Sequence, residues 1–120
     1  MTTTFSDSSH RLADLLRVDL DFIVAQLADE FAHAAGKKML ITGGAGFLGY
    51  YLVQAALHFN AQHGDRDAID VTVFDNYIRG VPPWLLALES NAHLTLREFN
   101  VVEPLPADID EFEYIIHAAG

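Results

Sequence analysis

The chain has 120 residues, 51% of them hydrophobic and 20% charged, which is the balance of a single packed domain and excludes a disordered segment. Seventeen acidic residues against seven basic ones leave a formal charge of −10, which repels a phosphodiester backbone and excludes nucleic acid as a partner. No cysteine is present, so disulfide scaffolds, thiolate metal sites and thiol nucleophiles are excluded together.

The opening MTTTFSDSSH has neither a basic nor an apolar segment, so no secretory leader is read there, and no apolar run reaches the length a bilayer needs. The expectation is a cytoplasmic protein that does not engage a membrane. Across residues 9–35 the apolar positions Leu12, Leu16, Leu20, Ile23, Leu27 and Phe31 recur at three- and four-residue steps, marking one helical face. A break near Val18 is expected, with Asp19 or Asp21 as the cap of a second helix and Gly36 as the stop. The face reads as a packing surface against the body of the protein; the alternative is a partner-binding helix.

Met39-Leu40-Ile41 is a short apolar run before glycines, suited to a strand buried on both faces. Helical spacing returns over residues 47–60, and the β-branched run from Ile69 to Phe74 predicts a second strand ending at Asp75. Pro82-Pro83 open a short helix, residues 94–99 alternate as a third strand, and residues 114–119 form a fourth.

Between the first strand and its helix lies Thr42-Gly43-Gly44-Ala45-Gly46-Phe47-Leu48-Gly49. Gly43 permits the tight turn, Gly46 lets backbone approach a pyrophosphate, and Gly49 allows close packing of helix on strand. The helix N-terminus offers unpaired N–H groups to phosphates, so no cation is required. Asp75, at the carboxyl end of the second strand, suits the two hydroxyls of an adenosine ribose and repels a 2′-phosphate, which favours NAD. A turn-capping Asp is the bland alternative, and Arg79 keeps NADP open because a guanidinium can accommodate that phosphate. The six histidines show no metal-ligand spacing, and His117 reads as structural rather than as a general base.

TGGAGFLG at 42–49, DNYIRG at 75–80 and HAAG at 117–120 together resemble the extended short-chain dehydrogenase/reductases that act on nucleotide sugars. The resemblance covers residues 37–120, and residues 71–80 with NVVEPL at 100–105 look most similar to the UDP-glucuronate decarboxylases. It implies an α/β fold, a Rossmann-type doubly wound parallel sheet truncated after about four strands. Residues 1–36 would be a helical N-terminal extension and 37–120 a partial NAD-binding domain.

By the same resemblance, Gly46, Phe47 and Leu48 would line the pyrophosphate. Asp75, Asn76 and Tyr77 would surround the ribose, with Arg79 and Gly80 completing that loop. Asn100 and Val101 would lie near the adenine, and Ala118 and Ala119 beneath the cofactor. Asn100 stands where the family has an Asp, and its amide oxygen can accept in the same way. The resemblance also implies a nucleotide-sugar substrate oxidised at C4, loss of the C5 carboxylate, and reduction of the 4-keto sugar by the same NADH, in a homodimeric parent. Dehydratase and epimerase are the neighbouring alternatives. The family's Tyr-x-x-x-Lys pair lies downstream of HAAG; Tyr50, Tyr51, Tyr77 and Tyr114 have Gln54, Ala55, Val81 and Ala118 four residues on. No catalytic residue is therefore assigned, the 120-residue chain is expected to be inactive alone, and a non-catalytic NAD-binding module remains the rival reading.

Overall fold

A computed structural model of the chain describes residues 5–78, 80–100, 103–104 and 111–118. Two helices, α1 (Phe5–Gln26) and α2 (Ala28–Ala34), lead into strand β1 (Lys38–Thr42), helix α3 (Phe47–His63) and strand β2 (Asp70–Asp75). The short helix α4 (Pro83–Leu86) then precedes strands β3 (Leu94–Glu98) and β4 (Tyr114–His117). The four strands are parallel and lie in the order β3-β2-β1-β4. This is the α/β, Rossmann-type arrangement the sequence predicts.

Strand register explains how the core forms. Met39 pairs with Val71 and Tyr114, and Ile41 with Val73 and Ile116, while Val71 and Val73 pair with Leu94 and Leu96. Because side chains alternate along a strand, these residues share one face. That face meets Val53, Ala56, Leu57 and Phe59 of α3, and Leu85 of α4, in one continuous core. The Trp84 ring meets Tyr50 edge-on at 5.1 Å, which puts α4 against α3. The opposite face carries Leu40, Thr72, Thr95 and Ile115 in one row, and Thr42, Phe74, Arg97 and His117 in the next.

The N-terminal helices share the main core. Leu20, Phe31 and Ala34 are buried in it, and Leu16, Ile23, Val24 and Leu27 pack against it, with Phe31 stacked on Phe59 at 5.5 Å. The helical face read from the sequence is thus consumed inside the fold, which overturns the partner-binding alternative for it. The break near Val18 is also corrected. Helix α1 runs on to Gln26 and the interruption falls at Leu27 (φ −106°, ψ 26°), whose N–H donates to Ile23 O to close α1 and whose carbonyl accepts from Phe31 N–H to open α2, both at 2.9 Å. Neither Asp19 nor Asp21 caps a helix, because both lie inside α1; the Asp21 carboxylate instead accepts from His58 (2.6 Å) and Gln62 (3.3 Å) of α3.

Two polar fixtures hold the crossover from α3 to β2. Buried Asn60 donates from Nδ2 to Ile69 O (2.9 Å) and accepts from Ile69 N–H at Oδ1 (2.7 Å), satisfying both backbone groups of a fully buried residue. At the amino-terminal end of the sheet, His93 lies between Asp70 (2.9 Å) and Asp65 (3.1 Å). Hydrogen bonds to Asp70 and then Asp65 raise its pKa above the usual histidine value, against the opposing cost of burial. No helix among the described residues is long and apolar enough to cross a membrane.

Candidate functional site

The order of the strands dictates where a ligand can enter. From β1 to β3 the chain steps one way across the sheet, then returns to place β4 on the other side of β1. At such a reversal the connections leave in opposite directions and open a crevice at the carboxyl ends of the strands. Thr42, Asp75 and His117 stand at those ends.

The glycine turn after Thr42 is seated by contacts that exclude side chains. Gly43 adopts φ +73°, and its N–H donates to Phe74 O at 2.7 Å, tying the turn to the end of β2. A Cβ on Gly44 would lie 2.5 Å from Val73 Cγ1, and one on Gly49 would lie 2.2 Å from the carbonyl oxygen of Gly44. The predicted role of Gly49 is therefore adjusted: its close approach is to the turn, and Gly44 makes the contact with the strand. Gly46 is extended (φ −83°, ψ −172°), exposed, and its carbonyl accepts from Tyr50 N–H at 3.0 Å to start α3. Phe47 opens that helix, while the Leu48 side chain is exposed and outside the cleft, so what Leu48 offers a ligand is its backbone N–H.

Asp75 joins this turn to the loop after β2. Its Oδ2 accepts from Ala45 N–H (3.1 Å) and its Oδ1 from Tyr77 N–H (2.9 Å). The turn-capping role and the placement beside the glycine turn thus coexist in one carboxylate. An ionised carboxylate has about four acceptor positions, so two remain for incoming hydroxyls. Ala45, Gly46, Asp75, Tyr77, Ile78, Gly80 and Pro82 line a cleft of about 330 Å³. Of the residues read from sequence, this brings together Gly46, Asp75, Tyr77 and Gly80.

Tyr77 carries strain and an unpaired group. Its φ is +50°, an uncommon conformation for a bulky residue, and its hydroxyl is buried without a hydrogen-bond partner among the described residues. Burial first, then the charges of Asp75 and Glu98, push its pKa up to about 12, so it is a neutral phenol. Asn76 is exposed and folds back to accept from Ile78 N–H (3.1 Å), shaping the loop rather than lining the cleft. Asn100 lies apart from that cleft, in a second one shared with Arg97, Glu98, Phe99, Glu103 and Pro104. Arg79, Val101 and Ala119 lie outside the described residues.

On the far side of β1, Ala118 N–H donates to Thr42 O (2.8 Å), and Thr42 Oγ1 is 2.6 Å from His117 Nδ1. These two bonds close β4 onto β1 at the crevice and give His117 a structural role. Sequence reasoning missed Thr42, Gly44, Ala45, Ile78 and Pro82. The doubled glycine at 43–44 was a legible signal for Gly44; an alanine that contributes only its N–H leaves no signal.

A parallel sheet with this reversal, a glycine turn opening a helix and a strand-end acid defines a Rossmann-type dinucleotide-binding protein. Residues 39–120 match the NAD dependent epimerase/dehydratase family, and the chain belongs to it. A nicotinamide dinucleotide is accordingly the cofactor class. The chain is 33% identical over 78 residues to UDP-glucuronic acid decarboxylase 1 of Arabidopsis thaliana, covering 65% of this chain and 16% of that protein. It is 32% identical over 88 residues to the proteins of the same name from Danio rerio and Xenopus tropicalis, covering 70% of this chain and 18% of each. The chain thus spans less than a fifth of the length of these relatives.

Proposed function

We propose that these residues form the NAD-binding portion of a nucleotide-sugar-modifying enzyme, with decarboxylation of UDP-glucuronate through a 4-keto sugar as its reaction. The observation that carries the cofactor assignment is Asp75 reaching both the glycine turn and the β2 exit loop at the wall of one cleft. A carboxylate there accepts from ribose hydroxyls and repels a 2′-phosphate, which supports NAD over NADP. The N–H groups at the start of α3, with no side chain at Gly46 to block approach, suit a pyrophosphate. Gly80, Ile78 and Pro82 would wall the adenosine end. When bound, NAD supplies the hydride acceptor and donor.

The reaction assignment rests on the decarboxylase relatives and on the decarboxylase-like sequence of residues 71–80; a 4,6-dehydratase or a 4-epimerase is the neighbouring reading. None of the four tyrosines has a lysine four residues on, so the 120-residue chain binds dinucleotide without turning over sugar. In a parent enzyme the partners are a nucleotide-sugar substrate and a second subunit.

Titration calorimetry of the chain with NAD and NADP tests the cofactor reading. We expect NAD to bind more tightly, and Asp75→Asn, which keeps the acceptor shape but loses the charge, to weaken NAD roughly tenfold while strengthening NADP, as expected for hydrogen bonds to a charged group. Preference of the unaltered chain for NADP, or an unchanged NAD affinity in folded Asp75→Asn, overturns it.

A further inference from the structure

The loop after β2 sets two neighbouring side chains in inverted positions. Ile78, an aliphatic residue, is exposed by 85% at the wall of the cleft, whereas Tyr77 beside it carries its polar tip into the protein. Transfer energies favour the reverse, a covered aliphatic chain and a phenol with its hydroxyl in water. The Tyr77 ring packs against the core, but its hydroxyl is buried with no hydrogen-bond partner among the described residues. Such a group has lost its bonds to water without replacement.

The backbone explains how the ring is held there. Tyr77 N–H donates to Asp75 Oδ1 at 2.9 Å, and Gly80 N–H donates to Tyr77 O at 2.7 Å. Held on both sides, residue 77 takes φ +50°, which fixes the direction of its Cβ. What these bonds leave adjustable is rotation about the side-chain bonds. Ring burial favours the inward setting, while hydration of the hydroxyl favours an outward one, a short swing away over the mouth of a cleft that opens to solvent. These opposing terms leave the two settings close in free energy. Charge does not choose between them, because burial, with Asp75 and Glu98, keeps the phenol protonated.

We propose that the Tyr77 side chain is a lid for the dinucleotide cleft, turned inward beside Asp75 and swinging out over the adenosine end of a bound dinucleotide. There its hydroxyl regains hydrogen bonds, and its ring, with Ile78, covers the ligand. An aromatic face laid on a purine stacks, so the outward ring recovers contact as well as hydration. The lid rests on the dinucleotide reading of the cleft and adds the step that retains the ligand.

Tyr77→Phe tests it, because the variant keeps the ring and removes the unpaired hydroxyl, and so favours the inward setting. NAD should bind about tenfold more weakly, and in urea unfolding the variant should gain about 1.4 kcal/mol, which is that factor converted. The loss should lie in faster dissociation, and NADP should weaken by the same factor, whereas Asp75→Asn moves the two cofactors in opposite directions. Fluorine NMR of the chain carrying 3-fluorotyrosine supplies a second readout, with Tyr77 identified among the four tyrosines by its absence from Tyr77→Phe. Its resonance should become solvent-exposed when NAD is added. Unchanged NAD affinity in Tyr77→Phe, no gain in its stability, or a Tyr77 resonance still shielded at saturating NAD overturns the lid and leaves the Asp75 reading standing. Binding of neither dinucleotide to the unaltered chain refutes the cofactor reading, and the lid with it.

Discussion

Gly44 offers the most searching test of the glycine turn, because the obstacle to a side chain there is one identified residue. Its φ lies outside the left-handed range, so alanine can adopt the backbone; the added Cβ, however, would lie 2.5 Å and 3.2 Å from the two Cγ atoms of fully buried Val73. Ordinary contact requires about 1 Å of displacement, and overpacking of that kind costs about 1–3 kcal/mol, offset by at most about 1 kcal/mol of reduced unfolded-chain entropy. Val73→Ala alone removes two buried methyl groups, a loss of about 2–3 kcal/mol with its cavity. In the double variant the remaining contact is Val73 Cβ at 3.4 Å, and the new methyl occupies part of the space vacated. The two changes should therefore couple favourably by at least about 1 kcal/mol, well beyond the additivity error of independent sites. Urea unfolding followed by the single tryptophan, Trp84, measures the stabilities, and NAD titration should show affinity falling in Gly44→Ala and recovering in the pair. A Gly44→Ala variant as stable as the parent, or a double variant equal to the sum of the singles, would refute the seating of the turn on β2.

Two further outcomes bear on the scaffold. Asn60→Ala strips both backbone groups of Ile69 of their partners inside the core, and should cost about 2–5 kcal/mol by denaturant unfolding; a loss within the scatter of surface changes would show that the Asn60 bridge is not formed. His93→Gln removes a ring whose pKa is raised by Asp70 and Asp65. The stability due to that raised pKa is fully present below the unfolded histidine value near 6.5 and is lost as pH rises through the folded pKa, so the variant should be more destabilised near pH 5.5 than near pH 8.5. An equal or inverted difference would count against the contact.

How far the sequence could be read depended on whether a signal was local. The runs that became β1 and β2, and the glycine turn between strand and helix, are local and were legible. The end of α3 was read three residues early because Asn60, Gln62 and His63 break the apolar pattern, whereas the stop is Gly64 at φ +80°, its N–H returned to Asn60 O. The break in α1 was misplaced because Asp19 and Asp21 look like caps in the sequence, whereas the interruption falls at Leu27, which has no capping side chain, and Asp21 serves a tertiary contact to His58, 37 residues away. The doubly wound class of the sheet came from resemblance, and the order β3-β2-β1-β4 from the structure, because periodicity carries no information about which strand lies beside which.

That strand order has a kinetic consequence. Strands β1, β2 and β3 are neighbours in sequence and in space, whereas β4 must return to β1 across more than seventy residues of chain. Distant pairings pay their loop entropy before any contact rewards it, so β4 is expected to dock last. Its docking brings the Thr42–His117 clasp and, with it, the crevice itself. A dinucleotide that recognises the crevice would therefore stabilise only chains in which β4 has docked, drawing partly folded ones forward by mass action.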